Sequence, residues 1–253
     1  LVNIGNKHIK VCQACVCSQS IRLTKLNLFF NINALKVRSM QVCSDCNKDG
    51  LSNITYWASK TGHLDCLKYA HENGCPWNPD TTYGAASNGQ IECLKYAHEN
   101  GCPWHPDTTG GAAMFGQIEC LKYAHENSCP WHPETTSFAA HKGQMECLKY
   151  AHLNGCPWHH DTTYWAANNG HLECLKYAHE NGCPWHPDTT SIAVEFKQIE
   201  CLKYIYRYTE YSTPECEHII KPIINGWLHL VDIAKHERTY VPQDIWFLVG
   251  KYW

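Results

Sequence analysis

The sequence predicts an all-α solenoid of stacked helix-turn-helix repeats, on three observations. Cys66, Cys93, Cys120, Cys147, Cys174 and Cys201 recur every 27 residues without slippage. Trp77, Trp104, Trp131, Trp158 and Trp185 keep the same period, as do His71, His98, His125, His152 and His179. Each copy also carries two short helical patterns separated by helix-stopping residues. A fixed period of this length marks an array in which each copy buries its apolar face only against its neighbours.

One full copy reads D-T-T-Y-G-A-A-S-N-G-Q-I-E-C-L-K-Y-A-H-E-N-G-C-P-W-H-P, from Asp80 to Pro106. Asp80 is placed to cap the first helix, its carboxylate accepting a bond from an orphan backbone N–H. Ala85 and Ala86 follow, and Gly89 is expected to end that helix in a left-handed conformation. The second helix should run from about Gln90 to Asn100, with Ile91, Cys93, Leu94 and Ala97 forming its apolar stripe. Glu92, Lys95 and Glu99 lie on the opposite face and can pair along it. Asn100-Gly101 ends the helix, and Pro103 forbids its continuation. Both helices are shorter than isolated helices that persist in water, so stacking must supply their burial. Six copies run from about Asn53 to about Tyr208, the last degenerate.

The stretch Gly89 to Trp104, G-Q-I-E-C-L-K-Y-A-H-E-N-G-C-P-W, resembles the second helix of an ankyrin repeat, which that family writes G-H-L-E-V-V-K-L-L-L-E-x-G-A-D-V. His63 and His171 keep even the family's first His, and Ala85-Ala86-x-x-Gly89 is similar to its L-A-A-x-x-G. On this resemblance Cys93 replaces a core Val, His98 a core Leu, Cys102 an Ala and Trp104 a Val. The wording most resembles short ankyrin-like repeats expanded in giant DNA viruses and some protists. Two departures stand out. The family's T-P-L-H opening is replaced by Asp80-Thr81-Thr82-Tyr83, so its His-based network between repeats is absent. The family unit is about 33 residues, and the missing residues fall between His105 and Asp107, where the family builds a β-hairpin finger. Tight turns without projecting fingers are therefore expected.

Three regions are expected. Residues 1–50 form a non-repetitive, basic, cysteine-containing segment, 51–208 the six repeats, and 209–253 a helical C-terminal cap. Thr213 should cap a helix with Pro214 at its first position, and Ile219, Ile220, Ile223 and Ile224 as its apolar pattern. The tail tryptophans Trp227, Trp246 and Trp253 are expected to pack on repeat six. A start at Leu1 rather than Met suggests a fragment. Leu1 to Gly50 holds seven Lys/Arg against two Asp/Glu, whereas Leu51 to Cys201 holds eight against sixteen. An acidic body repels phosphate and argues against nucleic-acid binding. No stretch of about 18 apolar residues appears, so no membrane span is expected. Most of the 17 cysteines fall at two repeat-locked positions, which reads as buried free thiols in a reducing compartment. The expected location is intracellular and cytoplasmic (host cytoplasm if the source is viral).

The candidate chemistry is thin. Every full copy carries Cys and His, for example Cys93, His98, Cys102 and His105, but Cys93 and His98 differ by about 140° around a helix. They read as packing residues rather than zinc ligands, and the buried imidazole then needs a polar partner such as a neighbouring backbone carbonyl. Cys12-x-x-Cys15 with Cys43-x-x-Cys46 is a separate zinc-like pattern, with an unusually long gap and an extra Cys17. A catalytic nucleophile should occur once, whereas the Cys, His and Glu of the array occur five or six times. No catalytic residue, metal or cofactor is assigned.

Positions that differ between copies are the candidates for recognition. The pairs before the helix-ending residue are Lys60-Thr61, Ser87-Asn88, Met114-Phe115, His141-Lys142 and Asn168-Asn169. With Tyr83 and Tyr164 from the pairs before Ala-Ala, they form the expected partner-binding set. The resemblance implies that the first helix faces a concave, partner-binding surface. The expected function is a monomeric, non-enzymatic protein-interaction scaffold. The alternative is an adaptor whose terminal segment recruits other machinery, such as ubiquitin-ligase components, while the repeats select the target.

Overall fold

The computed structural model describes residues 2–4, 7–9, 46 and 53–222. By internal packing the chain divides into two compact units. The first is Leu1–Ala139 with Glu146–Pro157, and the second is Ala140–Met145 with Trp158–Trp253.

In the first unit, β1 (Val2–Ile4) and β2 (Lys7–Ile9) pair antiparallel, with Val2 opposite Ile9 and Ile4 opposite Lys7. This ribbon lies outside the repeats, whose secondary structure is helical as expected. The rest of the first unit's described secondary structure is helical. Helix α1 (Ile54–Thr61) is followed by α2 (Leu64–Glu72), α3 (Thr81–Ser87) by α4 (Ile91–Glu99), and α5 (Thr108–Met114) by α6 (Ile118–Glu126). Helices α7 (Thr135–His141) and α8 (Met145–Leu153) take residues from both units. The second unit continues with α9 (Thr162–Asn168), α10 (Leu172–Glu180), α11 (Thr189–Glu195) and α12 (Ile199–Tyr208).

The packing follows from the repeat. First helices lie against first helices, α1 on α3 and α3 on α5, and in the second unit α9 on α11. Second helices do the same, α2 on α4, α4 on α6, and α10 on α12. Through repeat five each buries one Leu and two small residues completely or nearly so, as Leu94, Cys93 and Ala97 do in α4, while α12 buries Tyr204 and Ile205 beside Cys201 and Leu202. No strand interrupts residues 53–222. Where a finger would stand, a tight turn forms, with Thr108 N–H donating to the His105 carbonyl at 3.0 Å.

Two left-handed residues punctuate each of the first five repeats, and one the sixth. In repeat two these are Gly89 at φ +71° and Gly101 at φ +81°. A Cβ at Gly89 would collide with the amide of Gln117 in the next repeat, whereas one at Gly101 would meet nothing within 4 Å. The first stop is thus needed for packing as well as backbone, the second for backbone alone. In repeat six the first stop is Lys197, left-handed at φ +53°.

The expected Asp80 cap does not form. No side-chain cap bond is made by Asp80, Asp107, Asp161 or Asp188. Asp80 sits at φ −86°, ψ 4°, already turned toward helix, so its carboxylate points away from the first-turn N–H groups. Thr213 does cap as expected, accepting from Cys216 N–H at 3.2 Å, and the helical run at 214–222 follows. Cys216 and Ile220 of that run are buried, and the Cys216 thiol donates to the Leu202 carbonyl at 3.8 Å. The expected Trp227, Trp246 and Trp253 packing, and Ile223 and Ile224, lie outside the described residues.

Candidate functional site

Three ladders tie neighbouring repeats together within each unit. The first is built from the second Thr of each Thr-Thr pair. Thr82 Oγ1 accepts from His105 N–H at 2.9 Å, donates to the Pro103 carbonyl at 3.3 Å, and lies 3.2 Å from Thr108 Oγ1. Thr109 repeats the pattern with His132 N–H and the Pro130 carbonyl. In the second unit Thr163 accepts from His186 N–H at 3.0 Å. A buried hydroxyl therefore satisfies the turn backbone that a shortened repeat exposes to the interior. This takes the place of the network lost with T-P-L-H.

The second ladder runs along the second helices. His71 Nδ1 lies 3.1 Å from the Tyr96 hydroxyl, His98 Nδ1 3.2 Å from Tyr123, His125 Nδ1 3.1 Å from Tyr150, and His179 Nδ1 2.8 Å from Tyr204. His71, His98 and His125 each stack on the Trp of their own repeat, with ring centroids 4.5–4.6 Å apart. The Trp Nε1–H of Trp77 donates to the Asn100 carbonyl and that of Trp104 to the Asn127 carbonyl, each at 3.2 Å. The partner of the imidazole is thus a phenol, not a backbone carbonyl. Nor is His98 a core residue like the Leu it stands for; it is half-buried. Burial, then the carboxylate of Glu72, pushes the Tyr96 phenol above its ordinary value, keeping it protonated. Tyr96 carries the same 27-residue period as His98, a signal available in the sequence.

A third set clamps the turns. His105 Nδ1 accepts from Asp107 N–H at 3.1 Å, so its Nε2 carries the proton and faces Asp80 Oδ1 at 3.3 Å. His132 does the same toward Glu134 N–H and Asp107. These pairs are half exposed, and each contributes at most about 1 kcal/mol.

The repeat-locked cysteines are buried. Burial raises Cys93, Cys102, Cys129, Cys147, Cys156, Cys183 and Cys201 to about 12 and Cys120 to about 11. Thiols in that state remain protonated at neutral pH and are poor nucleophiles.

The expected partner-binding residues separate into two groups. The slot immediately before the left-handed stop is exposed in every repeat. In the first unit it holds Thr61, Asn88 and Phe115, and in the second Lys142, Asn169 and Phe196. The slot before it is more buried through repeat five, whereas Glu195 of repeat six is exposed. Lys60, Met114, His141 and Asn168 are half-buried, and Ser87 is only 8% exposed, its hydroxyl turned to the Gly84 carbonyl. Ser87 is therefore a packing residue rather than a contact residue.

Tyr83 and Tyr164 belong to packing as well. A Cβ at Gly84 would press on the Tyr56 ring, and one at Gly111 on the Tyr83 ring. At the next junction the sizes reverse, since Gly110 leaves room for His132 and Phe138. Tyr164 lies against Trp165 and His186. Bulk on one repeat answers a gap on its neighbour, so variation here reflects steric complementarity between repeats.

Among the described residues, two groups of three bring metal-ligating atoms within 4.8 Å of one another: Cys46, His63 and Cys66, and His159, His160 and Asp161. The pairing of Cys46 with Cys12, Cys15 and Cys43 lies outside the described residues apart from Cys46 itself. No described helix is long and apolar enough to cross a membrane.

Helix pairs stacked like on like, with left-handed stops and no interior strand, define the ankyrin-repeat fold in a shortened form. Among solved structures the chain is similar to the human ASB11 ankyrin repeat domain, at TM-score 0.52 and 19% identity, covering 61% of this chain and 82% of that one. At that identity the likeness shows the fold alone. No protein-family model matches the chain, and no curated protein matches it.

Proposed function

We propose that this chain is a non-enzymatic scaffold that binds a partner protein through the first-helix side of its repeats, the concave side in ankyrin-like stacks. One observation carries the reading. The residue closing each first helix is exposed in all six repeats and varies among Thr, Asn, Phe and Lys, while through repeat five the residue before it is more buried. Phe115, 47% exposed beside half-buried Met114, is an apolar anchor of the type that dominates interface energetics. The buried, protonated thiols suit a reducing, intracellular setting for the protein as a monomer. No observation on the described residues favours the adaptor alternative.

The test is Phe115→Asn, a residue the same slot already carries as Asn88 and Asn169. Tagged wild-type and variant chains are used for affinity capture from lysate, with mass spectrometry and quantitative binding of the recovered partner. The scaffold reading expects an unchanged melting temperature and at least about tenfold weaker binding, the loss typical of an interface hot spot. Equal capture by both chains overturns the assignment of this slot.

A further inference from the structure

In repeats two, three, five and six, the first residue of each second helix's N-terminal segment faces the preceding repeat. The amide of Gln90 lies over Gly62, that of Gln117 over Gly89 and that of Gln198 over Gly170, while the imidazole of His171 lies over Gly143. The thiol three residues later also looks back, and Cys93 Sγ reaches the Ala58 carbonyl at 4.0 Å. Repeat one has no repeat before it, yet its two residues in these slots are both metal-ligating types, His63 and Cys66. Cys46 sits at the place they face. Its sulfur lies 3.2 Å from His63 Nδ1, and the ligand atoms of all three fall within 4.8 Å. Cys46 is fully buried and Cys66 is 2% exposed, with Thr61 Oγ1 3.2 Å from the same His63 nitrogen.

We propose that Cys46, His63 and Cys66 bind a zinc ion that closes the N-terminal end of the repeat array. Two thiolates and one imidazole nitrogen supply three of the four donors of a tetrahedral zinc site, and the fourth position falls to a further ligand. The spacing H-x-x-C in repeat one, preceded by a C-x-x-C ending at Cys46, is a zinc-like ligand pattern. Binding displaces the two thiol protons to solvent, leaves the imidazole neutral, and gives a core with no net charge, which suits a buried site. The ion ties residue 46 to the first helix pair at the N-terminal end of the array, where a solenoid needs a cap. His171-x-x-Cys174 has the same spacing inside the array. There the imidazole lies over Gly143, and no third ligand joins it among the described residues. It serves as an internal control.

The full chain, purified under reducing conditions and dialysed free of loose metal, is analysed for zinc and then loaded with cobalt in place of zinc. The expected result is one zinc per chain and a cobalt spectrum showing thiolate charge-transfer with tetrahedral visible bands. His63→Gln, which installs the side chain of Gln90 and Gln117, should lose the zinc and the spectrum while keeping the fold by circular dichroism. His171→Gln should keep both. A tight zinc chelator should lower the melting temperature of the wild type and of His171→Gln, and leave His63→Gln unmoved. Zinc-free wild type without a cobalt spectrum, zinc retained in His63→Gln, or a Cys46–Cys66 disulfide detected by mass under these conditions would each overturn the proposal.

Discussion

The two helices of a repeat reverse the usual relation between burial and variation. The first helix is the more buried; in α3, Thr81, Thr82, Gly84, Ala85, Ala86 and Ser87 are all inside. It is also the helix that varies most from copy to copy. The second helix exposes Glu92 and Glu99 and only half buries Lys95, Tyr96 and His98, yet its sequence scarcely changes. The difference lies in what each residue touches. Tyr96 must meet His71, and Trp77 must meet the Asn100 carbonyl, so each copy of the second helix is partner to an identical copy. In the first helix the contacts are steric and can be answered by a compensating change next door, as Gly84 answers Tyr56.

The largest expected effect strikes the repetitive part. Cys93, Cys102, Cys129, Cys147, Cys156, Cys183 and Cys201 have thiols raised by burial to about 12 in the fold, against 9.0 for the free group. Below pH 9 both folded and unfolded chains keep these protons. Above it the unfolded chain releases them and the folded chain does not, so stability is lost as pH rises from 9 toward 12. Each fully buried thiol contributes about 1.4 kcal/mol per pH unit in that window. Many act together, and helicity followed with reductant present should collapse before about pH 11. Helicity retained past that point, with thiolate absorbance appearing near pH 9, would show the thiols are not buried as described.

A smaller effect separates backbone cost from packing cost. Ser128 takes the second stop of repeat three in a left-handed conformation, φ +65°, where a Cβ at the equivalent Gly101 meets nothing. Ser128→Gly should therefore stabilise by about 1 kcal/mol, read as a higher midpoint in urea unfolding. An unchanged or lower midpoint would show that this site carries no left-handed strain.

Much of the fold was legible because a period needs no partner to be seen. The copies, the helix pairs, the left-handed stops and the Thr213 cap all follow from local chemistry repeated at a fixed interval. What escaped depended on contacts between copies. The role of Tyr83 is visible only beside Gly111, and that of Thr82 only beside the His105 turn. Asp80 fitted a capping position by residue type, but the preceding turn had already rotated its backbone. Cys46 was read with its neighbours in sequence, and His63 and Cys66 as ordinary members of the repeat. The exposed slot of Thr61, Asn88 and Phe115 was found by variation alone, which could not separate it from Ser87 one residue earlier.

The most direct test sets a packed position against an exposed one in a single urea-unfolding series. Gly111→Tyr places a second ring where Tyr83 already lies and should cost about 1–3 kcal/mol, the usual penalty of overpacking. Adding Tyr83→Gly should restore most of that loss, because the bulk has then only changed sides. Phe115→Asn, a few residues further along, should move the midpoint by less than about 0.5 kcal/mol. A Gly111→Tyr chain that is not rescued by Tyr83→Gly, or a Phe115→Asn chain that unfolds as early as Gly111→Tyr, would contradict the division of the first helix into a packing slot and a free one.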